Sequence, residues 1–316
     1  MSPPPNSFSP CQETALDTLT QNRSNVFLTG RAGSGKSFLV RYFLKNKDRK
    51  TFPIVASTGA AAVIVGGRTF HSFFGLGIME GGVEEAIKRA LEEKRVIKRL
   101  QKIEGFILDE ISMIPGPALR AAETICRTVR KKNLPWGGVR VIAVGDFAQL
   151  PPVSRHSPTK EWAFLEGTWD RSSFIPLVLK TMMRSRDQDY MDVLNDIRDG
   201  VVSERARGYL NKRVLPESEW DKASDVPHLF PRREMADKFN EKRLQEIKKP
   251  LMEFPTSYSG DPRSIEVMKR NAPIPEVLKV KESALVMIRV NDPLFKYVNG
   301  SLGHVVKVKG NTWRFD

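Results

Sequence analysis

Cysteine is almost absent from this sequence of 316 residues, in which Cys11 and Cys126 are the two thiols. Two thiols build neither a disulfide framework nor a zinc site, and this scarcity indicates a reducing compartment. Long apolar runs are missing as well, since none approaches the ~18 residues that a membrane-spanning helix needs. The first residues form neither a signal peptide nor an arginine-rich transit peptide, and we expect residues 1–8 to be a disordered lead. The sequence therefore predicts an intracellular protein that does not enter the membrane.

Acidic residues are fewer than basic ones: the chain has 37 Asp and Glu and 51 Lys and Arg, so its net charge is +14. Such an excess favours a polyanionic partner, of which nucleic acid is the commonest, although a solvated basic surface has the same composition. Hydrophobic residues make up 40% and charged residues 28% of the chain, as in ordinary globular proteins. The length favours two domains.

The stretch from Gly30 to Ser37 fits the phosphate-binding P-loop pattern G-x-x-x-x-G-K-[ST]. The apolar run 26–29 before it predicts a buried parallel strand, and the run 38–44 after it predicts a helix. Glycines let the backbone N–H groups turn toward phosphate oxygens, Lys36 is expected to reach the β- and γ-phosphates, and Ser37 to ligate Mg²⁺. The residues predicted to hold the nucleotide here are Gly30, Ala32, Gly33, Ser34, Gly35, Lys36 and Ser37.

Two further strand ends carry polar residues. The apolar run 106–108 ends in Asp109 and Glu110, which predicts a carboxylate that holds Mg²⁺ through water, followed by a base that accepts a proton from the attacking water. The alternative is a pair of exposed carboxylates at a strand end. The buried strand predicted over 139–144 leads to Gln149, a polar group that could sense the γ-phosphate.

Hydroxyl groups, a histidine and aromatic rings follow the strand predicted over 52–57. The carboxyl ends of parallel strands are where open α/β sheets bind ligands, so this segment is a candidate platform for a single nucleic-acid strand. We expect Phe70, Phe73 and Phe74 to be core residues. The residues assigned to the nucleic acid are Ser57, Thr58, Gly59, Thr69, His71 and Ser72.

Helices are predicted where apolar residues recur at helical spacing, over 8–22, 83–103, 118–132, 187–199 and 233–248. Ser9 and Pro10 supply a start signal for the first helix, whose first turn contains Gln12. The stretch 250–275 is expected to be irregular. Basic residues crowd the second half of 83–103, either as a nucleic-acid contact or as a solvated face.

The segment Gly-Asp-Phe-Ala-Gln-Leu-Pro-Pro-Val at 145–153 resembles motif III of the Pif1-like superfamily 1B DNA helicases. The other motifs follow in the family's order. These are Gln12 for the Q motif, 30–37 for motif I, 57–62 for motif Ia, 67–73 for the family's Gly-x-Thr-x-His-Ser-Phe, 108–113 for motif II, and 127–138 for the stretch between motifs II and III. The resemblance covers roughly residues 8–200.

The resemblance implies an α/β fold with a P-loop RecA-like domain on a parallel sheet, followed by an incomplete second RecA-like domain. The implied bounds are 9–175 for the first domain, with a short insertion at about 70–103, and 176–316 for the second, with the start of a small β insertion. It also implies an ATP- and Mg²⁺-dependent 5′-to-3′ translocase on single-stranded DNA that acts at duplex and G-quadruplex junctions as a monomer. DNA repair, recombination, telomere and replication-fork roles occur in the family, in the nucleus or mitochondrion of eukaryotes or the cytoplasm of bacteria and phages.

The same resemblance assigns roles to single residues. Gln12 would read adenine, Asp109 would hold the metal ion, and Lys36, Glu110 and Gln149 would be catalytic. The segment 177–185 looks like motif IV, so Arg184 would face the γ-phosphate, with Ser185 where the family usually has Gln. In the second domain, strands similar to the family's are expected over 226–231, 284–291 and 298–306. Arg232, which stands where the family has Thr, and Asn299 are the DNA contacts assigned there.

We find no counterpart of the family's motifs V and VI, which indicates either a truncated chain or a degenerate relative. An alternative from another class is a non-catalytic nucleic-acid-binding module that uses the nucleotide as a switch, or an inactive fragment. A P-loop small-molecule kinase is a weaker alternative, because of the net charge of +14.

Overall fold

The structure is a computed structural model, and it describes residues 8–58, 61–62, 66–77, 79, 81–152, 161–183, 187–216, 219, 226–262, 265–266, 269, 275–289, 297, 300–309 and 312–315. The chain divides into two compact units, Met1–Arg213 and Val214–Asp316. No helix in these ranges is long and apolar enough to span a membrane.

The first unit is built on a six-stranded sheet in which every pair of neighbouring strands is parallel. Its order is β3-β2-β4-β5-β1-β6. The bounds are β1 Val26–Gly30, β2 Ile54–Ala56, β3 Arg68–Thr69, β4 Gly105–Asp109, β5 Arg140–Val144 and β6 Ile175–Leu179. This sheet confirms the predicted α/β class with a parallel sheet.

Alternate residues of the central strands enter different cores. Phe106 and Leu108 of β4 belong to one apolar cluster, whereas Ile107 between them belongs to a second. Val141 and Ile142 of β5 divide in the same way. Since successive strand side chains point to opposite faces, both faces of the sheet are covered, as the near-continuous apolar runs of parallel strands require.

Most helices of the first unit contribute buried residues to one or the other of these clusters. Their bounds are α1 Pro10–Gln21, α2 Lys36–Phe43, α3 Phe70–Phe74, α4 Gly82–Glu92, α5 Lys94–Lys102, α6 Gly116–Arg130, α7 Gly167–Arg171, α8 Gln188–Arg198 and α9 Glu204–Asn211. The helix predicted over 83–103 is in fact two helices. Glu93 between them has an extended backbone, with φ −81° and ψ 101°, and it begins α5 as its N-cap residue.

The sequence predicted a domain boundary after residue 175, whereas the first compact unit extends to Arg213. β6 pairs with β1 along its whole length, from Val26 opposite Ile175 to Gly30 opposite Leu179. The segment directly after the predicted boundary is therefore a strand of the first sheet. The division into two RecA-like halves stays a prediction.

The second unit contains α10 Arg233–Glu246, the antiparallel pair β7 Met252–Pro255 and β8 Val277–Val280, and the three-stranded sheet β9 Leu285–Met287, β10 Leu302–Lys309 and β11 Thr312–Phe315. Its small core is formed by Val280, Ala284 and Val305.

Two expectations about the second unit were wrong. No strand forms over 226–231; Pro227 and Pro231 lack the N–H that a strand ladder needs. The stretch 250–275, expected to be irregular, contains β7, whose Met252 pairs with Val280.

Candidate nucleotide site

The P-loop lies between the end of β1 and the start of α2, as predicted. Two of its glycines are required by close approach. A side chain at Gly30 would lie 2.5 Å from the Leu179 carbonyl oxygen of β6, and one at Gly35 would lie 2.4 Å from Nε2 of Gln12. Gly35 also has φ +88°, in the left-handed region that side chains rarely adopt. Glycine is therefore required at these two positions, because β6 and α1 leave no room for a side chain.

Lys36 is held inside this loop. Its Nζ donates to the carbonyl oxygens of Gly30 at 2.7 Å and Arg31 at 3.1 Å. Burial lowers the pKa of Lys36, and the charges of Asp146, Glu110 and Asp109 oppose that shift. The ammonium group therefore lies within electrostatic reach of three carboxylates from the ends of β4 and β5.

Asp109 and Glu110 stand at the carboxyl end of β4, two strands from β1 in the sheet order. Burial and the neighbouring charge of Glu110 raise the pKa of Asp109 to about 6. Glu110 adopts a left-handed conformation, with φ 54° and ψ 49°. For a residue other than glycine this conformation costs about 1–2 kcal/mol. Such strain is typical of functional positions, and here it falls on the predicted base.

The donor set at this edge suits Mg²⁺. Ser37 offers a hydroxyl and Asp109 a carboxylate, both hard oxygen ligands, and Mg²⁺ is commonly held by one or two carboxylates together with substrate phosphates. Within the described ranges no group of three or more His, Cys, Asp or Glu side chains converges as a metal cage.

Gln149 lies on the loop after β5, and its side chain is exposed. Its Nε2 donates to Oδ2 of Asp146 at 3.3 Å. Asp146 is 2% exposed and also accepts two hydrogen bonds from Arg198 of α8. No role was predicted from the sequence for Asp146 or Arg198. A carboxylate directly after a buried strand was the available signal for Asp146, whereas nothing local marks Arg198.

Gln12 is buried against the P-loop, with 1% of its surface exposed. Its Nε2 donates to the Ser34 carbonyl oxygen at 3.2 Å, and its Oε1 accepts from the Ser9 backbone N–H at 3.0 Å. Helix α1 thus brings Gln12 to the nucleotide site, where both ends of its carboxamide bond to backbone. Its role in reading adenine stays a prediction.

Thr58 and Thr69, two of the residues assigned to nucleic acid, lie at the carboxyl ends of β2 and β3, where Ala56 lies opposite Thr69. Thr58 Oγ1 accepts from the Ala61 N–H, and Thr69 Oγ1 accepts from the Ser72 N–H. These hydroxyls order local turns. Burial lowers the pKa of His71, which favours a neutral ring.

The remaining residues of that assignment divide into three groups. Ser57 donates from its hydroxyl to the sulfur of Met113, and Ser72 is exposed. Arg232 is exposed before α10 in the second unit. Gly59, Asn299 and the predicted catalytic residue Arg184 lie outside the described residues. All these roles stay predictions.

The predicted ring cluster is confirmed as core, since Phe70, Phe73 and Phe74 are buried. Arg99 of α5 donates to the carbonyl oxygens of Ser72 and Phe73 and lies 5.1 Å from the centre of the Phe73 ring. This member of the basic run therefore has a structural role.

A parallel sheet with a P-loop at its carboxyl edge and an acidic pair two strands away defines the P-loop NTPase class. A sequence model of the PIF1-like helicases matches residues 9–208, and the chain belongs to that family.

Two relatives illustrate the likeness. The chain is 52% identical over 301 residues to the ATP-dependent DNA helicase Pif1 of Bdellovibrio bacteriovorus, a match that covers 95% of this chain and 67% of the relative. It is 30% identical over 296 residues to the ATP-dependent DNA helicase PIF1 of Homo sapiens, which covers 93% of this chain and 46% of that relative.

Solved structures agree with the fold. The Pif1 helicase of Candida albicans matches with a TM-score of 0.80 and 34% identity, over 97% of this chain and 70% of that one. The Bacteroides Pif1 helicase in complex with ADP-AlF3 and single-stranded DNA matches with a TM-score of 0.71 and 27% identity, over 98% and 72%.

Proposed function

We propose that this chain is an ATP-dependent DNA helicase that hydrolyses ATP with Mg²⁺ and moves 5′ to 3′ along single-stranded DNA. The observation that carries the proposal is the P-loop of β1 and α2 facing Asp109 and Glu110, in a chain that is 52% identical to a helicase named Pif1. A structure of the Bacteroides relative with ADP-AlF3 and single-stranded DNA supports the same pair of ligands here.

Each residue of the site has a part in the proposed reaction. Lys36 binds the β- and γ-phosphates, and Ser37 and Asp109 hold the metal ion, which neutralises phosphate charge when bound. Glu110, whose backbone is left-handed, accepts the proton of the attacking water. Gln149 contacts the γ-phosphate, and Arg184 stabilises the charge of the transition state.

The proposed DNA substrate is a single strand next to a duplex or G-quadruplex junction. Its phosphates would meet the β2–β3 edge, with Arg232 and Asn299 as further contacts. One matching solved structure concerns the unwinding of forked double-stranded DNA by two coordinating Pif1 helicases. We propose a monomer as the basic unit, in an intracellular protein of genome maintenance.

The test is ATP hydrolysis with and without single-stranded DNA, in the unaltered chain and in Glu110→Gln. Glu104→Gln is the matched control, because Glu104 is an exposed glutamate beside the opposite end of β4. We expect DNA to stimulate turnover and Glu110→Gln to lower it by about 100-fold or more, within the range of general-base catalysis. Turnover should be unchanged in Glu104→Gln. Stimulated turnover that survives in Glu110→Gln would sink the assignment of the base.

The competing proposal is a binding module that uses the nucleotide as a switch without hydrolysing it. It expects the chain to bind ADP and DNA, with DNA affinity falling steeply as salt rises, and to show no turnover. The rate of ATP hydrolysis therefore distinguishes the two proposals, whereas nucleotide and DNA binding do not.

A further inference from the structure

Two successive residues at the end of α8 contact two different loops of the nucleotide site. Arg198 donates to Asp146, from Nη2 to Oδ1 at 2.8 Å and from Nε to Oδ2 at 3.2 Å. Asp199 lies 3.7 Å from the Arg31 guanidinium on the P-loop. The same helix end is therefore bonded to the loop after β5 and paired with the P-loop.

Arg198 stabilises the charged form of Asp146. Its side chain is 2% exposed, and burial alone would raise its pKa. Hydrogen bonds from Arg198, from the Ala148 N–H and from Gln149 bring the pKa of Asp146 below its ordinary value instead. A two-pronged arginine–carboxylate bond is strong and fixes direction, so the buried carboxylate has one orientation.

Asp146 in turn orders the loop that carries Gln149. Its Oδ1 accepts from the Ala148 N–H at 3.1 Å, and its backbone oxygen accepts from the Gln149 N–H at 2.9 Å. Its Oδ2 also accepts from Gln149 Nε2 at 3.3 Å. Because Gln149 is exposed, its position is determined by these hydrogen bonds and not by packing against neighbouring side chains.

We infer that Arg198 is a positioning residue for ATP hydrolysis, which holds Asp146 and through it sets the place of Gln149 on the loop after β5. The inference rests on the proposed function of the site. Arg198 acts through Asp146 and contributes no group to the nucleotide itself. Its loss should therefore slow the chemical step and leave nucleotide affinity nearly intact.

Arg205 offers a matched control on the neighbouring helix. Its guanidinium bonds to Asp192 at 2.9 Å and to Asp196 at 3.1 Å, both on α8. Arg205→Gln thus removes arginine–carboxylate pairs from the same helix without touching the loop after β5. Any loss of activity that Arg205→Gln shares with Arg198→Gln reflects only the position of α8.

The first experiment compares kcat of DNA-stimulated hydrolysis with the Kd for a fluorescent ADP analogue. We expect Arg198→Gln to lower kcat about tenfold or more and to change Kd by less than about threefold. Arg198→Lys, which keeps the charge but loses the fork, should recover part of the rate. The double variant Arg198→Gln with Asp146→Asn should be no slower than Asp146→Asn, because both act on one path. An equal loss in Arg205→Gln, or additive losses in the double variant, would overturn the inference.

The second experiment does not need turnover. Hydrogen–deuterium exchange of the peptide containing residues 147–149 should become about tenfold faster in Arg198→Gln and stay unchanged in Arg205→Gln. If the wild-type chain hydrolyses no ATP, the proposed function fails while this measurement still decides the structural link. Unchanged exchange in Arg198→Gln, with the fold intact by thermal unfolding, rejects it.

Discussion

Asp109 ionises under opposing influences. Burial and Glu110 raise its pKa to about 6, although the Glu110 N–H and the charges of Lys36 and Arg41 lower it. Between the ordinary value of 3.8 and about 6, the folded protein keeps a proton that the unfolded chain has released. In the absence of metal, this stabilising contribution is full below pH 3.8 and is lost as the pH rises through about 6.

The affinity for Mg²⁺ should rise with pH, because the ion must displace the proton from the Asp109 carboxyl group. We expect the Mg²⁺ concentration for half-maximal ATPase activity to rise about tenfold for each pH unit below about 6, and saturating Mg²⁺ to restore the rate. Mg²⁺ titrations across this pH range measure it. Asp17→Asn, an exposed position on α1, should behave as wild type. A half-maximal concentration that ignores pH would contradict the assignment of Asp109 as the metal ligand.

At the scale of elements, α5 is capped by a side chain from another helix. Arg130 of α6 donates from Nη1 to the carbonyl oxygens of Gln101 at 2.7 Å and of Leu100 and Ile103 at 3.4 Å. The last carbonyls of a helix have no partner within it, and a cation there also complements the helix dipole. The bond joins two elements that both pack in the larger core cluster.

Arg130→Met keeps much of the aliphatic stem and removes the cap. We expect the free energy of unfolding to fall by about 1.5–3 kcal/mol, the range for a hydrogen bond from a charged group. Denaturant unfolding measures the loss. Lys132→Met, an exposed change just after the same helix, should stay within about 0.5 kcal/mol of wild type. Equal losses in the two variants would show that the cap contributes nothing.

The sequence alone predicts those elements whose cause is local. Strand β1, the P-loop and α2 follow one another within some 20 residues, so spacing and glycine positions suffice. The break at Glu93 has no glycine or proline to mark it. It arises because Ala90 before it and Val96 after it enter the same core cluster, which is a tertiary cause. The Asp146–Arg198 bond joins residues 52 apart, and no local pattern reports such a contact.

At the scale of the molecule, the two compact units differ in how much core they contain. Both large apolar clusters lie within Met1–Arg213, together with the P-loop and the acidic pair. Among the described residues of the second unit, Val280, Ala284 and Val305 are the buried members of an apolar cluster. The first unit therefore contains a core of its own, as an independently folding unit requires.

A chain of residues 8–213 should accordingly fold alone and bind ADP. We expect its thermal unfolding to remain cooperative and its Kd for ADP to stay within about threefold of the full chain, since a compact unit with its own core can fold independently. Stimulation of its ATPase by DNA should fall about tenfold or more, because the predicted contacts at Arg232 and Asn299 lie in the second unit. Lys36→Ala in the same fragment, which should abolish ADP binding, is the control for the site. A fragment that folds but does not bind ADP would show that the second unit supplies part of the nucleotide site, and full stimulation by DNA would show that the first unit holds the strand unaided.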